Sequence, residues 1–375
     1  MAKKKDINKH AFDESTQLKL SLFKDFFKAW LPVFIYRKDI ERIYIYDMFA
    51  GSGKDSIGQF GSPLMLLNEV KEYCEVLEKT GKKIIFGFNE YLEDKCELLH
   101  TNVQDFFKKC QTECSVENCL CQKSCHIKND DFSTLFDNKK FQQILNNKKY
   151  AKFILIDQYG FKQVDDLVFT KLMNSPVTDF LFFISSSRMK QFKNTDSVTL
   201  RFQNADIFVD EGDPKKSHQE VALYFKKLIP NGKKYHLHSF TIKKNRNYNG
   251  IIFGSNHSFG MEKFVSTCWK YDSYAGESNW EKDYGQLFQS TEPILKIDNT
   301  KDKIKELILN GEITNNKDGL LYTLECGCEP KIFPDVINEL LKKKKIEIIG
   351  KKNRTSTSIH NVDVYNIKIS ENENN

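Results

Sequence analysis

No stretch of about eighteen apolar residues occurs in this chain of 375 residues, so a membrane-spanning helix is not expected. Met1-Ala-Lys-Lys-Lys-Asp6 runs on into polar sequence, so no secretory leader is expected, the expected compartment is the cytoplasm, and no membrane partner is expected. No Cys-x-x-Cys pair is present, which removes the standard zinc-finger spacings. No acidic pair with a lysine at nuclease spacing stands out either. With 40% hydrophobic and 29% charged residues the chain reads as globular, long enough for a full α/β domain and something smaller. A formal net charge of +6 leans mildly toward polyanions.

What is present is concentrated at one place. Ile43-Tyr44-Ile45-Tyr46-Asp47 breaks directly into Met48-Phe49-Ala50-Gly51-Ser52-Gly53. Alternating β-branched and aromatic residues make a buried strand, and the glycines allow a turn where a Cβ would not fit. A strand, an acid and Gly-x-Gly open a Rossmann-like sheet, whose ligand crevice lies past the strand's carboxyl end. Ser56 stands where a dinucleotide fingerprint needs its third glycine, and no Gly-Lys-Ser/Thr closes a P-loop.

Further segments continue the pattern. A helix with Leu18, Leu22, Phe26, Phe27 and Trp30 on one face is expected over 10–38, stopped or kinked at Pro32. Ser62 is the expected cap of a second helix with Pro63 at its first position. Strands are expected at 83–88, 127–132, 153–157 and 179–184, ending in the acids Glu90, Asp131 and Asp157, with helices between them. That rhythm predicts an α/β fold with a mostly parallel Rossmann-like sheet over 1–295. Helix, helix, strand, basic turn and strand over 296–370 predict a small winged helix-turn-helix domain, with 371–375 a disordered tail.

Each candidate site has a plainer alternative. Gly51 and Gly53 suit close backbone approach to a ligand, Glu90 could accept from ribose hydroxyls, and Asp131 would lie near an adenine; a glycine turn that merely reverses the chain is the alternative. Asp157 and Tyr159 could orient a target amine and stack on its base, against a strand-end carboxylate with a structural role. Cys110, Cys114, Cys119, Cys121, Cys125 and His126 exceed what one zinc ion or one iron–sulfur cluster needs, and fall in an insertion over about 108–127; free thiols on a solvated loop are the other reading. Lys343, Lys344, Lys351, Lys352 and Arg354 flank a helix end and a wing where phosphate contacts would fall, although lysines there also complement a helix dipole. Arg188, after the fifth strand, is a further candidate phosphate contact.

Asp47-Met-Phe-Ala-Gly-Ser-Gly53 resembles the cofactor loop of S-adenosylmethionine-dependent methyltransferases, those modifying adenine or cytosine amino groups above all. Together with Lys19 and Trp30, Gly61-Ser-Pro63, Phe88-Asn-Glu90, Asp130-Asp-Phe132, Ile156-Asp-Gln-Tyr-Gly160 and Ile251 through His257, it makes the chain resemble the three-Cys-motif partner family (TcmP). The front half is also similar to adenine-N6 methyltransferases of ribosomal RNA. The resemblance implies a class I methyltransferase-like fold with a C-terminal winged helix. Asp47, Phe49, Gly51, Gly53, Glu90 and Asp131 would hold the cofactor. The implied substrate is nucleic acid, in a modification or phage-defence setting, and the implied partner is a radical-S-adenosylmethionine-like protein bearing three cysteines. Gln158 departs from the proline the family shows after the strand-four aspartate, and the five-cysteine insertion is not a family hallmark. A methyltransferase-like subunit that recognises nucleic acid without catalysis is the alternative.

Overall fold

The structure is a computed structural model that describes residues 10–113, 124–158, 163–184, 217–244, 247–279, 296–350, 359 and 364–370. The chain divides into two compact units, Met1–Asn256 and His257–Asn375. No helix among the described residues is long and apolar enough to cross a membrane.

The first unit opens with α1, Glu14–Tyr36, capped by the Asp13 carboxylate accepting from the Thr16 amide. Pro32 lies inside this helix, which neither stops nor breaks there but continues to Tyr36. A helical proline forfeits one hydrogen bond at a cost of about 3 kcal/mol. Burying Phe34 and Ile35 beyond it offsets that, at roughly 1.5–3 kcal/mol for each large apolar side chain. Strand β1, Arg42–Asp47, leads into the glycine loop and then α2, Ser62–Lys71. Gly61 occupies the cap position in extended conformation, so the helix begins at Ser62, one place earlier than expected.

Helix α3, Cys74–Thr80, strand β2, Lys83–Asn89, and helix α4, Glu93–Glu113, follow. Strand β3 is Cys125–Lys128, ending earlier than the expected 127–132 segment. Asp131 is instead the N-cap of α5, Phe132–Phe136, because its carboxylate accepts the Ser133 amide. Next come α6 (Lys139–Leu145), β4 (Tyr150–Ile156), α7 (Asp166–Asn174), β5 (Thr178–Ile184) and α8 (Ser217–Lys227). The hairpin of β6 (His236–Lys244) and β7 (Asn247–Ser255) completes the unit.

Among the described residues these strands make a seven-stranded sheet in the order β3-β2-β1-β4-β5-β7-β6. Only β7 runs against its neighbours. This is a mostly parallel, Rossmann-like arrangement. Successive residues of β4 face opposite sides, as a strand requires. On one side the Phe153 ring meets Phe26, Phe27 and Trp30 of α1, with centroids 4.9–5.9 Å apart. On the other, Ile154 and Ile156 join Phe169, Phe180, Phe182 and Phe225. Both faces are covered, which is why strands β4 and β5 are nearly continuous apolar runs. Trp30 also donates its indole N–H to buried Asp179 at 2.6 Å, fixing α1 on the sheet.

The second unit begins with α9, Ser258–Tyr271. Its compact part contains α10 (Lys296–Leu309), α11 (Asn316–Glu325), α12 (Ile332–Lys342) and the antiparallel pair β8 (Ile346–Ile349) and β9 (Asn366–Ile369). Residues 314–316 add to the far side of β9, where the Ile367 amide donates to the Thr314 carbonyl at 2.8 Å. Gly319 of α11 lies against the Phe333 ring of α12, where a Cβ would come within 2.0 Å of a ring carbon.

Candidate active site

The order of strands reverses between β1 and β4, and a parallel sheet binds its ligands beyond the carboxyl ends at such a switch point. Asp47 ends β1 and Asp157 follows the end of β4, so topology brings together two acids that lie 110 positions apart in sequence.

Asp47 is fully buried. Its Oδ1 accepts the Phe49 amide at 3.1 Å, while Oδ2 has no hydrogen-bond partner among the described residues. Burial pushes its pKa up to about 7, against the opposing pull of the Ser62 hydroxyl and the Phe49 amide; nearby Asp157 adds to the rise and Lys19 opposes it. A buried carboxylate oxygen with no donor is costly unless something supplies one.

The loop beyond it needs its glycines. Gly51 and Gly53 have φ of 60° and 81°, the left-handed region. The Gly53 carbonyl accepts from the Gly61 amide at 2.8 Å, and a Cβ on Gly61 would come within 3.2 Å of that same oxygen. Glu90, just past β2, accepts the Gly51 amide on Oε2 at 3.0 Å and the Leu92 amide on Oε1 at 2.9 Å. The second-strand acid therefore reaches the glycine loop directly. Phe49 stacks on Phe132 with centroids 5.4 Å apart. Asn89 ties three strand ends together, donating to the Met48 and Asp130 carbonyls and accepting from the Asp130 amide.

At the end of β4, Lys19 of α1 places its ammonium 2.5 Å from Asp157 Oδ2, and both side chains are largely enclosed, at 13% and 19% exposure. The same ammonium lies 4.6 Å from the centre of the Phe183 ring. Lys19 marks the N-terminal helix in the sequence, but its role at this site was not legible there: its partner is 138 residues away. Gln158 is 1% exposed, and its Oε1 accepts the Gln163 amide at 2.8 Å. Where a proline would fix this loop covalently, a side-chain hydrogen bond spans its two ends. Gln158 Nε2 is buried without a partner among the described residues. Tyr159 and Arg188 lie outside the described residues.

The remaining expected site residues are described only in part. Asp131 is exposed and engaged in capping α5. Cys110 is buried on α4, and burial pushes the Cys125 thiol up to about 12. Cys125 and His126 are consecutive on β3 and so project to opposite faces. Among the described residues no group of three or more His, Cys, Asp or Glu is placed to hold a metal. Cys114, Cys119 and Cys121 lie outside them. In the second unit Lys343 and Lys344 are exposed, but Lys343 pairs with Glu339 at 2.7 Å. Lys301 and Lys305 of α10 likewise meet Asp335 and Glu339 of α12 at 3.4 and 2.8 Å. Lys351, Lys352 and Arg354 are outside the described residues.

The sheet order and the loop beyond β1 define a Rossmann-like α/β fold with a mostly parallel sheet. No protein-family model matches the chain, and no curated protein does either. Among solved structures it is similar to an O-methyltransferase from Bacillus cereus in complex with SAH, at 13% identity and a TM-score of 0.32 over 64% of this chain and 90% of that one. It is also similar to TrmK of M. capricolum in complex with S-adenosyl-homocysteine, at 11% identity and a TM-score of 0.28, covering 80% and 92%. A third is precorrin-6y C5,15-methyltransferase from Geobacter metallireducens, at 9% identity and a TM-score of 0.26, covering 60% and 85%. At scores of this size the superpositions carry no chemistry over to this chain.

Proposed function

We propose that the first unit binds S-adenosylmethionine beyond β1 and directs methyl transfer to an amino group of nucleic acid presented at Asp157. One observation carries the reading: Asp47 keeps a buried carboxylate oxygen with no hydrogen-bond partner among the described residues, beside a loop whose Gly51 and Gly53 take the left-handed conformation. That is a fixed acceptor for a charged donor such as an amino-acid ammonium group, next to backbone that a ligand can approach closely. Asp47, Phe49, Gly51 and Gly53 would hold the amino-acid end, and Glu90 the ribose hydroxyls. Bound there, S-adenosylmethionine supplies an electrophilic methyl group.

The chain's own residues do the rest. Asp157 has one oxygen committed to Lys19, which leaves Oδ1 as the acceptor for an N–H of the incoming amine. Lys19 fixes the direction of that carboxylate, and Gln158 braces the loop that follows. Tyr159 is proposed to stack on the base. The test is mass spectrometry of nucleosides from cells with and without the chain, and with Asp157→Ala. A methylated nucleoside present only with intact Asp157 supports transfer, and identical profiles in all three refute it.

A second reading follows from Gln158, which stands where amino-methyltransferases carry proline: a methyltransferase-like subunit that recognises nucleic acid for a partner and transfers nothing. Under it Asp157→Ala leaves the joint activity unchanged. In either case the second unit is read as a winged helix, with Lys343, Lys344, Lys351, Lys352 and Arg354 as its phosphate contacts. A radical-S-adenosylmethionine-like three-cysteine protein is the partner that the family resemblance suggests, in a modification or phage-defence setting.

A further inference from the structure

The second unit carries, in chain order, α10, the short segment 314–316 that bridges to β9, α11, α12 and the β8–β9 pair. Helices α11 and α12 are joined by a turn, Cys326–Lys331, in which Gly327 has φ 72°. In a helix-turn-helix the helix after the turn is the one that enters a groove. Helix α12 buries Ile332, Phe333, Val336, Ile337 and Leu340 on one face. On the opposite face Lys331, Asn338 and Lys342 recur at helical spacing and are exposed.

The acids of α12 are already matched. Asp335 lies 3.4 Å from Lys301, while Glu339 lies 2.8 Å from Lys305 and 2.7 Å from Lys343. Lys331 meets Glu329 at 2.5 Å just ahead of the helix. At the other end Lys342, Lys343, Lys344 and Lys345 are all exposed, which leaves a surplus of positive charge there. At about 1.5 Å per residue the helix is about 16 Å long. That is enough to cross a B-form major groove, about 12 Å wide, and set cations against both backbones. The deep, narrow major groove of A-form RNA cannot be read by side chains in this way.

The backbone at Lys344 is a second, independent observation. Lys343 caps α12, the Lys344 amide donates to the Leu341 carbonyl, and the Lys345 amide donates to the Leu340 carbonyl, each at 3.0 Å. Lys344 therefore fills the left-handed position of the helix stop, at φ 52°, where glycine is the usual occupant because a Cβ is strained there. A charged side chain held against the preference of the backbone points to a use for its charge.

We infer that α12 lies in the major groove of duplex DNA, where Asn338 reads a base edge between phosphate contacts from Lys331 at one end and Lys342, Lys344 and Lys345 at the other. The inference rests on the reading of the second unit as a winged helix on nucleic acid, and adds the duplex it takes and the residue that reads sequence. An asparagine amide matches adenine N6 and N7 in that groove bidentately.

Fluorescence anisotropy of the full chain with labelled DNA and RNA duplexes of one sequence, across a salt series, tests it, together with selection from a randomised DNA duplex pool. The native chain should bind the DNA duplex at least about tenfold more tightly than the RNA duplex. Lys344→Gly should raise the thermal unfolding midpoint and yet lower the log–log salt slope by about 0.9, the loss of one phosphate contact. Asn338→Ala should keep the slope and lose roughly 5- to 100-fold of the native base preference at one position. Calorimetric binding of S-adenosylmethionine should match the native chain in both variants. RNA bound as tightly as DNA, an unchanged slope in Lys344→Gly, or an unchanged base preference in Asn338→Ala each overturns the inference and leaves the nucleic-acid reading standing. No binding of either duplex, or of a single strand, by the native chain overturns both.

Discussion

Replacing Asp47 by asparagine separates what this residue costs the fold from what it does for a ligand. Burial raises its pKa from 3.8 to about 7, a rise of roughly three units; at ~1.4 kcal/mol per unit the folded state gives up ~4 kcal/mol to ionise it. The direction follows from proton binding. Between pH 4 and 7 the folded state holds the proton that the unfolded state has released, so this contribution to stability is complete below pH 4 and lost as pH rises through about 7. Asparagine keeps an oxygen for the Phe49 amide and carries no charge to bury. Urea unfolding at pH 4 should therefore find the two proteins within ~1 kcal/mol. At pH 8 the variant should be more stable by ~2–4 kcal/mol, the upper figure assuming no relaxation around the ionised group. The same variant should lose S-adenosylmethionine affinity about 10- to 100-fold, because a hydrogen bond to a charged group is worth ~1.5–3 kcal/mol. A stability difference that does not vary with pH, or a variant less stable at pH 8, would refute the reasoning.

Three further changes probe the site and its support. Lys19→Met should abolish methyl transfer while calorimetric S-adenosylmethionine binding stays within about threefold, because the ammonium pairs directly with Asp157 and influences Asp47 only as the smallest of the charge effects on it; Lys19→Arg should recover part of the transfer. Gln158→Ala should cost ~1 kcal/mol in unfolding experiments through loss of the Gln163 amide bond, and should increase protease cleavage between residues 158 and 163. Trp30→Phe removes the indole donor from Asp179, whose own pKa is pushed up by burial to about 6. Its destabilisation should be smallest near pH 4 and grow by ~1–2 kcal/mol as pH rises through 6, where Asp179 ionises without that donor; a penalty that shrinks over that range would contradict the assignment.

The parts of the site legible in sequence are those that short-range patterns encode. The β1 run, its closing acid and the two glycines declare themselves within eleven residues, and Glu90 follows because every strand in a parallel sheet ends at the same edge. What was not legible depends on tertiary partners. Lys19 is an ordinary helical lysine until α1 packs across β4 and β5. Gln158 departs from the expected proline, and only folding shows that its side chain bonds back to residue 163. Asp131 illustrates the opposite case: a strand-end acid by pattern, it caps a five-residue helix because β3 stops at Lys128. Pro32 does not stop α1, since buried aromatic contacts along the helix outweigh one missing hydrogen bond. Spacing also said little about the cysteines, because alternation on β3 sends Cys125 and His126 apart.

The account depends most on the claim that Asp47 and the glycine loop receive S-adenosylmethionine. Titration calorimetry of the full chain with S-adenosylmethionine tests it most directly. Saturable binding of one equivalent, lost or greatly weakened in Asp47→Asn, is the predicted result. No heat of binding at millimolar cofactor, from a chain shown to be folded, would contradict it.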